Sequence, residues 1–141
     1  RLRIVGDWAG APPLPAADYL GWLDAEALLA ALRGSALALF PAPDTPALRA
    51  KSPARLLDCL AQGLPVITTE VGEYGLLAGN GGRVVETDDD RALADATVAA
   101  LLSPALRAEM GAATWEAARR HTWAVRIETL CTWYRRLGVE V

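Results

Sequence analysis

The stretch KSPARLLDCLAQGLPVIT, residues 51–68, combines a helix start, a helix stop and a short buried strand. Ser52 is a preferred N-cap residue, and Pro53 suits the first helical position, where an N–H group would have no partner. Gly63 supplies the left-handed conformation that ends a helix. Residues 64–68 form a mainly apolar run of the kind found in parallel sheets. The stretch therefore predicts a helix followed directly by a buried strand.

One face of this predicted helix is apolar. At 100° per residue, the side chains on that face are Pro53, Leu56, Leu57, Leu60 and Ala61. Asp58 lies off the face, on the flank beside Ala54 and Ala61. These small neighbours would leave room for a ligand group to approach the Asp58 carboxylate.

Lys51, directly before this helix, is the only lysine of the chain, and the other thirteen basic residues are arginines. A helix N-terminus carries roughly half a positive charge and unpaired N–H groups, which a nearby lysine reinforces for an anionic ligand. This pairing predicts an anion site, with phosphate as the expected ligand. The alternative is an ordinary capped helix with a solvated lysine.

Length and composition predict one compact domain over residues 1–141. The net charge of −3 and the pI near 5.1 argue against nucleic-acid binding. No apolar run approaches the roughly 20 residues that span a bilayer, so we expect neither a transmembrane helix nor a signal peptide in this sequence. The chain begins at Arg1 rather than methionine, so we expect an excerpt or a processed chain. Cys59 and Cys131 are too few for a disulfide framework or a zinc site and are typical of reduced thiols in the cytoplasm.

Strands and helices alternate along the chain, which predicts an α/β fold with parallel strands and right-handed crossovers. The predicted strands are residues 2–5, 19–22, 36–40, 64–68 and 83–85, and the predicted helices are residues 25–32 (capped by Asp24), 53–62, 90–102, 104–120 and 123–137. The connecting loops are a Pro- and Ala-rich segment at 9–17, a proline-punctuated segment at 41–51 and a glycine-rich region at 72–82. In such sheets ligands bind beyond the carboxyl ends of the strands, which places Gly6, 41–51 and 68–74 along one rim.

The ordered set of these motifs resembles the donor-binding, C-terminal half of GT-B glycosyltransferases, specifically retaining glycosyltransferase family 4. The matching segments, which cover nearly the whole chain, are LRIVG (2–6), YLGWL (19–23), ALALFP (36–41), LDCLAQGLPV (57–66), GGRVV (81–85), MGAA (110–113) and TW (122–123). The resemblance implies a Rossmann-like, doubly wound parallel sheet flanked by helices, with a helical C-terminal tail. It also implies transfer of a hexose-type sugar from a nucleotide-sugar donor to an unknown acceptor.

The resemblance assigns roles to residues by position. Ser52 and its neighbouring amides would face the donor diphosphate, with Lys51 as a phosphate counter-charge. Asp58 would bind the nucleotide ribose, because a carboxylate accepts hydrogen bonds from two adjacent hydroxyls.

The loop after the buried strand is a further candidate for donor binding. Gly72 would allow close approach of the backbone to the distal phosphate. Glu73 and Tyr74 resemble an acidic–aromatic pair at the donor sugar. The alternative for this loop is an ordinary surface turn.

The chain also departs from the family pattern. The family has a first glutamate eight residues before the second, where this chain has Ala50, and its second glutamate is the shorter Asp58 here. Asp44 lies in the same long loop as Ala50 but at the wrong distance to replace the glutamate, so the catalytic residue stays unassigned. We expect a metal-independent reaction without a cofactor, the nucleotide sugar being a substrate.

Two parts that the family uses are expected outside this chain. Arg1 to Gly6 resembles the second strand of the C-terminal half, so an upstream arginine and lysine that clamp the phosphates would precede it. The N-terminal acceptor domain is also absent, so this portion should not catalyse transfer alone. The missing domain could bring a cytoplasmic protein to the membrane surface.

The remaining polar clusters have simpler structural interpretations. Asp88 to Asp90 suggests a helix cap more than a metal site. His121, the sole histidine, suits a capping or packing role beside the N-cap Thr122. Residues 79–82 suit a turn before a strand, and Gly6-Asp7 lacks the other glycines of a dinucleotide-binding motif.

The aromatic-rich last helix is expected to cover a hydrophobic face. Its apolar side, exposed if the covering partner is missing, would also suit a homodimer. Two other functions stay open: a non-catalytic interaction domain that has lost donor binding, and part of a nucleotide-sugar epimerase.

Overall fold

The computed structural model describes residues 1–7 and 14–141. The described chain forms two compact units, residues 1–34 and residues 35–141. Most of the predicted loop at 9–17 lies outside the described residues. The expectation of a single domain over 1–141 stays a prediction.

The first unit contains two parallel strands and one helix. Strand β1 spans Leu2–Val5, strand β2 spans Ala17–Gly21, and helix α1 spans Ala25–Arg33. The predicted cap of α1 is confirmed, because Asp24 Oδ1 accepts a hydrogen bond from the Ala27 N–H at 2.8 Å. Strand β2 begins two residues before its predicted start and ends at Gly21, which has a positive φ of 62°.

The second unit, residues 35–141, contains three strands and six helices. The strands are β3 (Ala38–Phe40), β4 (Val66–Thr69) and β5 (Gly82–Val85), and the helices are α2 (Pro46–Arg49), α3 (Ala54–Ala61), α4 (Tyr74–Ala78), α5 (Asp90–Leu102), α6 (Pro104–Arg119) and α7 (Trp123–Arg136). A single 3₁₀ turn, Gly79–Gly81, joins α4 to β5. Helices α2 and α4 were not predicted. Each is only one turn long and lies in a segment rich in proline or glycine.

The three strands of this unit are parallel, in the order β3-β4-β5. Phe40 pairs with Thr68 and Thr69 pairs with Val85, so the strands end close to one another. All four residues of the central strand β4 are buried. Parallel sheets flanked by helices confirm the predicted α/β class.

Helix α3 begins one residue later than predicted, and the prediction of Ser52 as its N-cap is wrong. The Ser52 carbonyl accepts the Ala54 N–H at 3.0 Å across Pro53, whose φ of −82° and ψ of 80° form an inverse γ-turn. This turn makes Pro53 the N-cap, and its carbonyl accepts the Leu56 N–H at 2.9 Å. A proline has no side-chain oxygen, so the start of α3 lacks a side-chain cap.

The end of α3 follows the prediction. Gly63 has a φ of 65°, its N–H bonds the Leu60 carbonyl, and the Leu64 N–H bonds the Cys59 carbonyl. These two bonds form a Schellman motif. The buried face differs from the prediction at two positions, because Cys59 is buried and Ala61 is exposed.

The core of the second unit lies around β4 and α3. Leu56, Leu60, Val66, Ile67 and Ala78 are fully buried. Helix α6 closes this core through Thr114, whose hydroxyl donates to the Gly81 carbonyl at 2.7 Å. Because Gly81 has no Cβ, its backbone can lie directly against Thr114: a Cβ there would stand 2.2 Å from Thr114 Cα.

Helix α7 does not cover a hydrophobic face of this chain as expected. Five of its apolar side chains are more than half exposed: Trp123, Ile127, Leu130, Trp133 and, at its C-cap, Leu137. Only Cys131 and Thr132 of the helix are partly buried.

Candidate functional site

The loops that leave β3 and β4 are joined by a side chain. The Thr69 hydroxyl accepts the Ala42 N–H at 3.0 Å and donates to the Ala42 carbonyl at 2.6 Å. The Thr69 side chain therefore links the loop after β3 to the end of β4, beyond the last backbone pair of the two strands. Pro41 and Pro43, on either side of Ala42, have no N–H groups with which to continue the backbone pairing. The predicted rim is confirmed for these two loops.

The segment that leads to Lys51 is organised by helix α2. The Thr45 hydroxyl caps this helix by accepting the Leu48 N–H at 3.3 Å, and Pro46 occupies its first position. The Asp44 carboxylate accepts two hydrogen bonds from the Arg49 guanidinium, one from Nε and one from Nη2, the latter at 2.6 Å. These bonds lower the pKa of Asp44 and raise that of Arg49. The Lys51 N–H then donates to the Leu48 carbonyl at 3.3 Å.

Gly72 lies against the same backbone segment. Its φ is 50°, and a Cβ at this position would stand 2.7 Å from the Arg49 carbonyl oxygen and 2.9 Å from that of Leu48. The space that the missing Cβ of Gly72 leaves is therefore occupied by the carbonyl oxygens of Leu48 and Arg49. Lys51 and Gly72, 21 residues apart in sequence, meet at the Leu48–Arg49 peptide. Their roles as diphosphate ligands stay predictions.

The Lys51 side chain is exposed and makes no ion pair among residues 1–7 and 14–141. Ser52 is also exposed, and in the described part of the chain its hydroxyl has no hydrogen-bond partner. Both side chains are thus free to bind an anion.

Asp58 lies on the exposed flank of α3, as predicted. Its carboxylate pairs with Arg55 at 3.3 Å, one turn earlier, and its side chain is 43% exposed. The neighbours Ala54 and Ala61 are exposed and small. A ribose could therefore reach the carboxylate, in competition with Arg55.

The two residues predicted at the donor sugar have different environments. Glu73 is exposed, directly before α4. Tyr74 is buried, with its ring centroid 6.4 Å from that of Phe40, and burial raises its pKa. Its packing against β3 makes Tyr74 a support for the loop in this structure. Contact with a sugar stays a prediction for both residues.

His121 lies between α6 and α7, as expected for a packing residue. Its Nδ1 is 2.8 Å from Arg126 Nη2, which identifies Nδ1 as the acceptor. Burial, followed by the charges of Arg126 and Arg120, lowers the pKa of His121, so the ring is neutral at pH 7. The negative charge of Glu73 acts to raise the pKa of His121, which indicates that the carboxylate lies near the imidazole ring.

A cleft of about 90 Å³ lies beyond the ends of β3 and β4. It is lined by Pro41, Ala42, Pro43, Thr69, Asp88, Asp89, Asp90 and Leu93. Asp89 caps α5 by accepting the Ala92 N–H at 2.8 Å, so the predicted cap is confirmed. The described residues contain no group of three His, Cys, Asp or Glu side chains placed to hold a metal ion. None of the predicted donor-binding residues lines this cleft.

Residues 1–132 match the model of a family described as glycosyl transferase-like. The chain belongs to this glycosyl transferase-like family. The fold agrees: a sucrose-phosphate synthase from Thermosynechococcus elongatus superimposes with a TM-score of 0.73 over 86% of the chain, at 23% identity. The resemblance to the C-terminal half of GT-B glycosyltransferases is confirmed.

The chain is also similar to a phosphatidyl-myo-inositol mannosyltransferase of Mycobacterium leprae, to which it is 38% identical over 72 residues, or 50% of the chain. The chain spans 19% of the length of that mannosyltransferase and 30% of the synthase. Among the described residues, no helix is long and apolar enough to cross a membrane.

Sequence reasoning missed one part of the site, the pairing of Asp44 with Arg49. A signal was present in the order Asp-Thr-Pro at residues 44–46, where Thr45 is an N-cap before a first-turn proline. A helix of four residues lacks the apolar periodicity by which longer helices are recognised.

Proposed function

We propose that this chain is the nucleotide-sugar-binding portion of a glycosyltransferase that moves a hexose-type sugar to an acceptor held by another part of the protein. The observation that carries the proposal is the meeting of Lys51 and Gly72 at the Leu48–Arg49 peptide, beside the carboxyl ends of β3 and β4. Family membership supports sugar transfer in general.

The chemistry assigned to this site is charge stabilisation. As the glycosidic bond to the donor breaks, the leaving nucleoside diphosphate gains negative charge, which Lys51 and the positive end of the α3 dipole would stabilise. Ser52 would donate to a phosphate oxygen, and Asp58 would accept from the ribose hydroxyls. The proposed transfer needs neither a metal ion nor a cofactor.

Nucleotide titration tests this function. Adding UDP or GDP at millimolar concentration to the ¹⁵N-labelled chain should shift the amide resonances of Lys51, Ser52, Gly72 and Asp58. Unchanged resonances at these positions with both nucleotides would contradict donor binding.

Replacement of the lysine separates phosphate binding from nucleoside binding. Lys51→Ala should weaken UDP or GDP binding about tenfold, because a hydrogen bond to a charged group is lost, and should change nucleoside binding little. Isothermal titration with both ligands measures the difference. Arg91→Ala on the exposed face of α5 is a control that removes one positive charge elsewhere. Equal losses for diphosphate and nucleoside would overturn the phosphate role.

A non-catalytic interaction domain is the second candidate. Three observations favour it: the absence of a carboxylate at Ala50, the pairing of Asp58 with Arg55, and the burial of Tyr74. The titration decides between the two functions, since an interaction domain would leave both nucleotides unbound.

A further inference from the structure

The Asp44–Arg49 ion pair joins the two ends of α2. Asp44 precedes the capping residue Thr45, and Arg49 is the last residue of the helix. Both oxygens of the carboxylate accept from the guanidinium, Oδ1 from Nε and Oδ2 from Nη2. Such bidentate pairs fix geometry more strongly than a single contact does. The pair therefore links the first and last residues of the six-residue segment 44–49, which contains α2.

Helix α2 needs such support. A single turn fixes several backbone dihedrals for very few hydrogen bonds and is unstable alone. The cap from Thr45 is long, at 3.3 Å, and the residues of α2 are exposed or only partly buried. Within residues 44–49, the ion pair adds a bidentate, charge-assisted contact to this weak cap.

Two residues of the proposed diphosphate site depend on this helix. The Leu48 carbonyl accepts the Lys51 N–H, and the same carbonyl lies against Gly72 together with that of Arg49. If α2 opened, the Lys51 backbone would lose its acceptor and Gly72 would lose the surface on which it rests.

We propose that the Asp44–Arg49 pair is a positioning clamp for the diphosphate site: it holds α2 closed, and α2 keeps Lys51 beside Gly72. Asp44 and Arg49 are positioning residues that act through Lys51 and Gly72. This inference rests on the proposed function, because it assigns the clamp to that same anion site.

The expected effect is modest, because the Arg49 side chain is largely exposed and the Asp44 side chain is partly exposed. Exposed ion pairs contribute little, and bidentate arginine–carboxylate pairs are the favourable case. Loss of the clamp should therefore weaken diphosphate binding by about two- to fivefold.

The test compares Asp44→Asn and Arg49→Gln with the wild-type chain. Each variant removes one charge; Asp44→Asn keeps the side-chain shape, and Arg49→Gln keeps a shorter polar side chain. Each should weaken UDP and GDP binding by the same factor and leave nucleoside binding unchanged, and each should shift the Gly72 amide resonance in the free protein. Arg91→Gln breaks the Arg91–Asp95 pair on α5 and is the matched control, expected to change none of these.

The reversed pair, Asp44→Arg with Arg49→Asp, should restore both the affinity and the Gly72 resonance. If Arg49→Gln lost affinity and Asp44→Asn kept the wild-type affinity, the clamp would be overturned, because Arg49 would then bind the anion directly. Wild-type affinity in both single variants would also overturn it. If the wild-type chain itself shows no Lys51-dependent binding of UDP or GDP, the proposed function fails instead, so the two failures are distinguishable.

Discussion

Cys59 combines a buried thiol with a carboxylate neighbour. It is 3% exposed, and burial together with the charge of Asp58 raises its pKa to about 12. Because the thiolate is the reactive form, Cys59 should resist iodoacetamide in the native protein at pH 8, whereas the partly buried Cys131 reacts. Mass spectrometry should find one modified cysteine in the native state and two in denaturant. Two modified cysteines in the native state would contradict the burial of the Cys59 side chain on α3.

The same pKa shift gives a pH dependence of stability. Between about pH 9 and pH 12 the unfolded thiol loses its proton while the folded one keeps it, so the unfolded state binds fewer protons. The free energy of unfolding should therefore decrease as the pH rises through this window, by up to about 1.4 kcal/mol per pH unit from this group. Urea unfolding with Cys59→Ala as a comparison isolates the contribution, since the slope due to this thiol disappears in the variant.

The sequence correctly located Gly63 and Asp58 because their signals are local. A positive φ at the end of a helix calls for glycine, and helical spacing places Asp58 off the apolar face. Ser52 was assigned wrongly for a reason that local preference cannot reveal. The sequence Ser-Pro permits an N-cap followed by a first-turn proline, but it also permits the inverse γ-turn that the structure adopts.

At the scale of elements, the contact between α6 and the Gly79–Gly81 turn limits substitution most strongly. Gly81→Ala places a Cβ 2.2 Å from Thr114 Cα and 2.3 Å from its backbone nitrogen, neither of which can move aside as a side chain can. We expect destabilisation at or above the upper end of the usual 1–3 kcal/mol for overpacking. Urea unfolding followed by circular dichroism measures it.

Gly75→Ala is the matched control for this prediction. Gly75 lies in α4, only six residues from Gly81, and its added Cβ would meet the Val84 methyl groups at an ordinary 3.5 Å. Replacing a helical glycine by alanine should be neutral or stabilising, by up to about 1 kcal/mol. Equal destabilisation by the two variants would contradict the close packing of Gly81 against Thr114.

The long helices were predictable and the one-turn helices were not. Helices α5, α6 and α7 were each found within a few residues because their caps, Asp89, Ser103 and Thr122, precede long segments of helix-forming residues. Helices α2 and α4 are each one turn long, too short to show the apolar periodicity by which longer helices are recognised. Since α2 organises the segment around Lys51, this omission also left the ion pair of the candidate site unpredicted.

At the scale of the whole molecule, the two units should differ in local stability. The first unit has only one buried side chain among its described residues, that of Leu28, and its sheet has two strands. Two strands alone are marginally stable in water. Amides of β1 and β2 should therefore exchange with deuterium well before those of the fully buried strand β4. Equal protection in the two units would contradict this difference.

The exposed apolar face of α7 has a consequence for solubility. Monomeric proteins rarely show contiguous apolar patches of more than a few hundred Å², and two tryptophans of α7, Trp123 and Trp133, are more than half exposed. Sulfate and other excluded salts strengthen the association of apolar surfaces. The net charge of only −3 gives little repulsion between molecules. We therefore expect the exposed face of α7 to promote association between molecules, so the solubility of this chain should fall as sulfate is added.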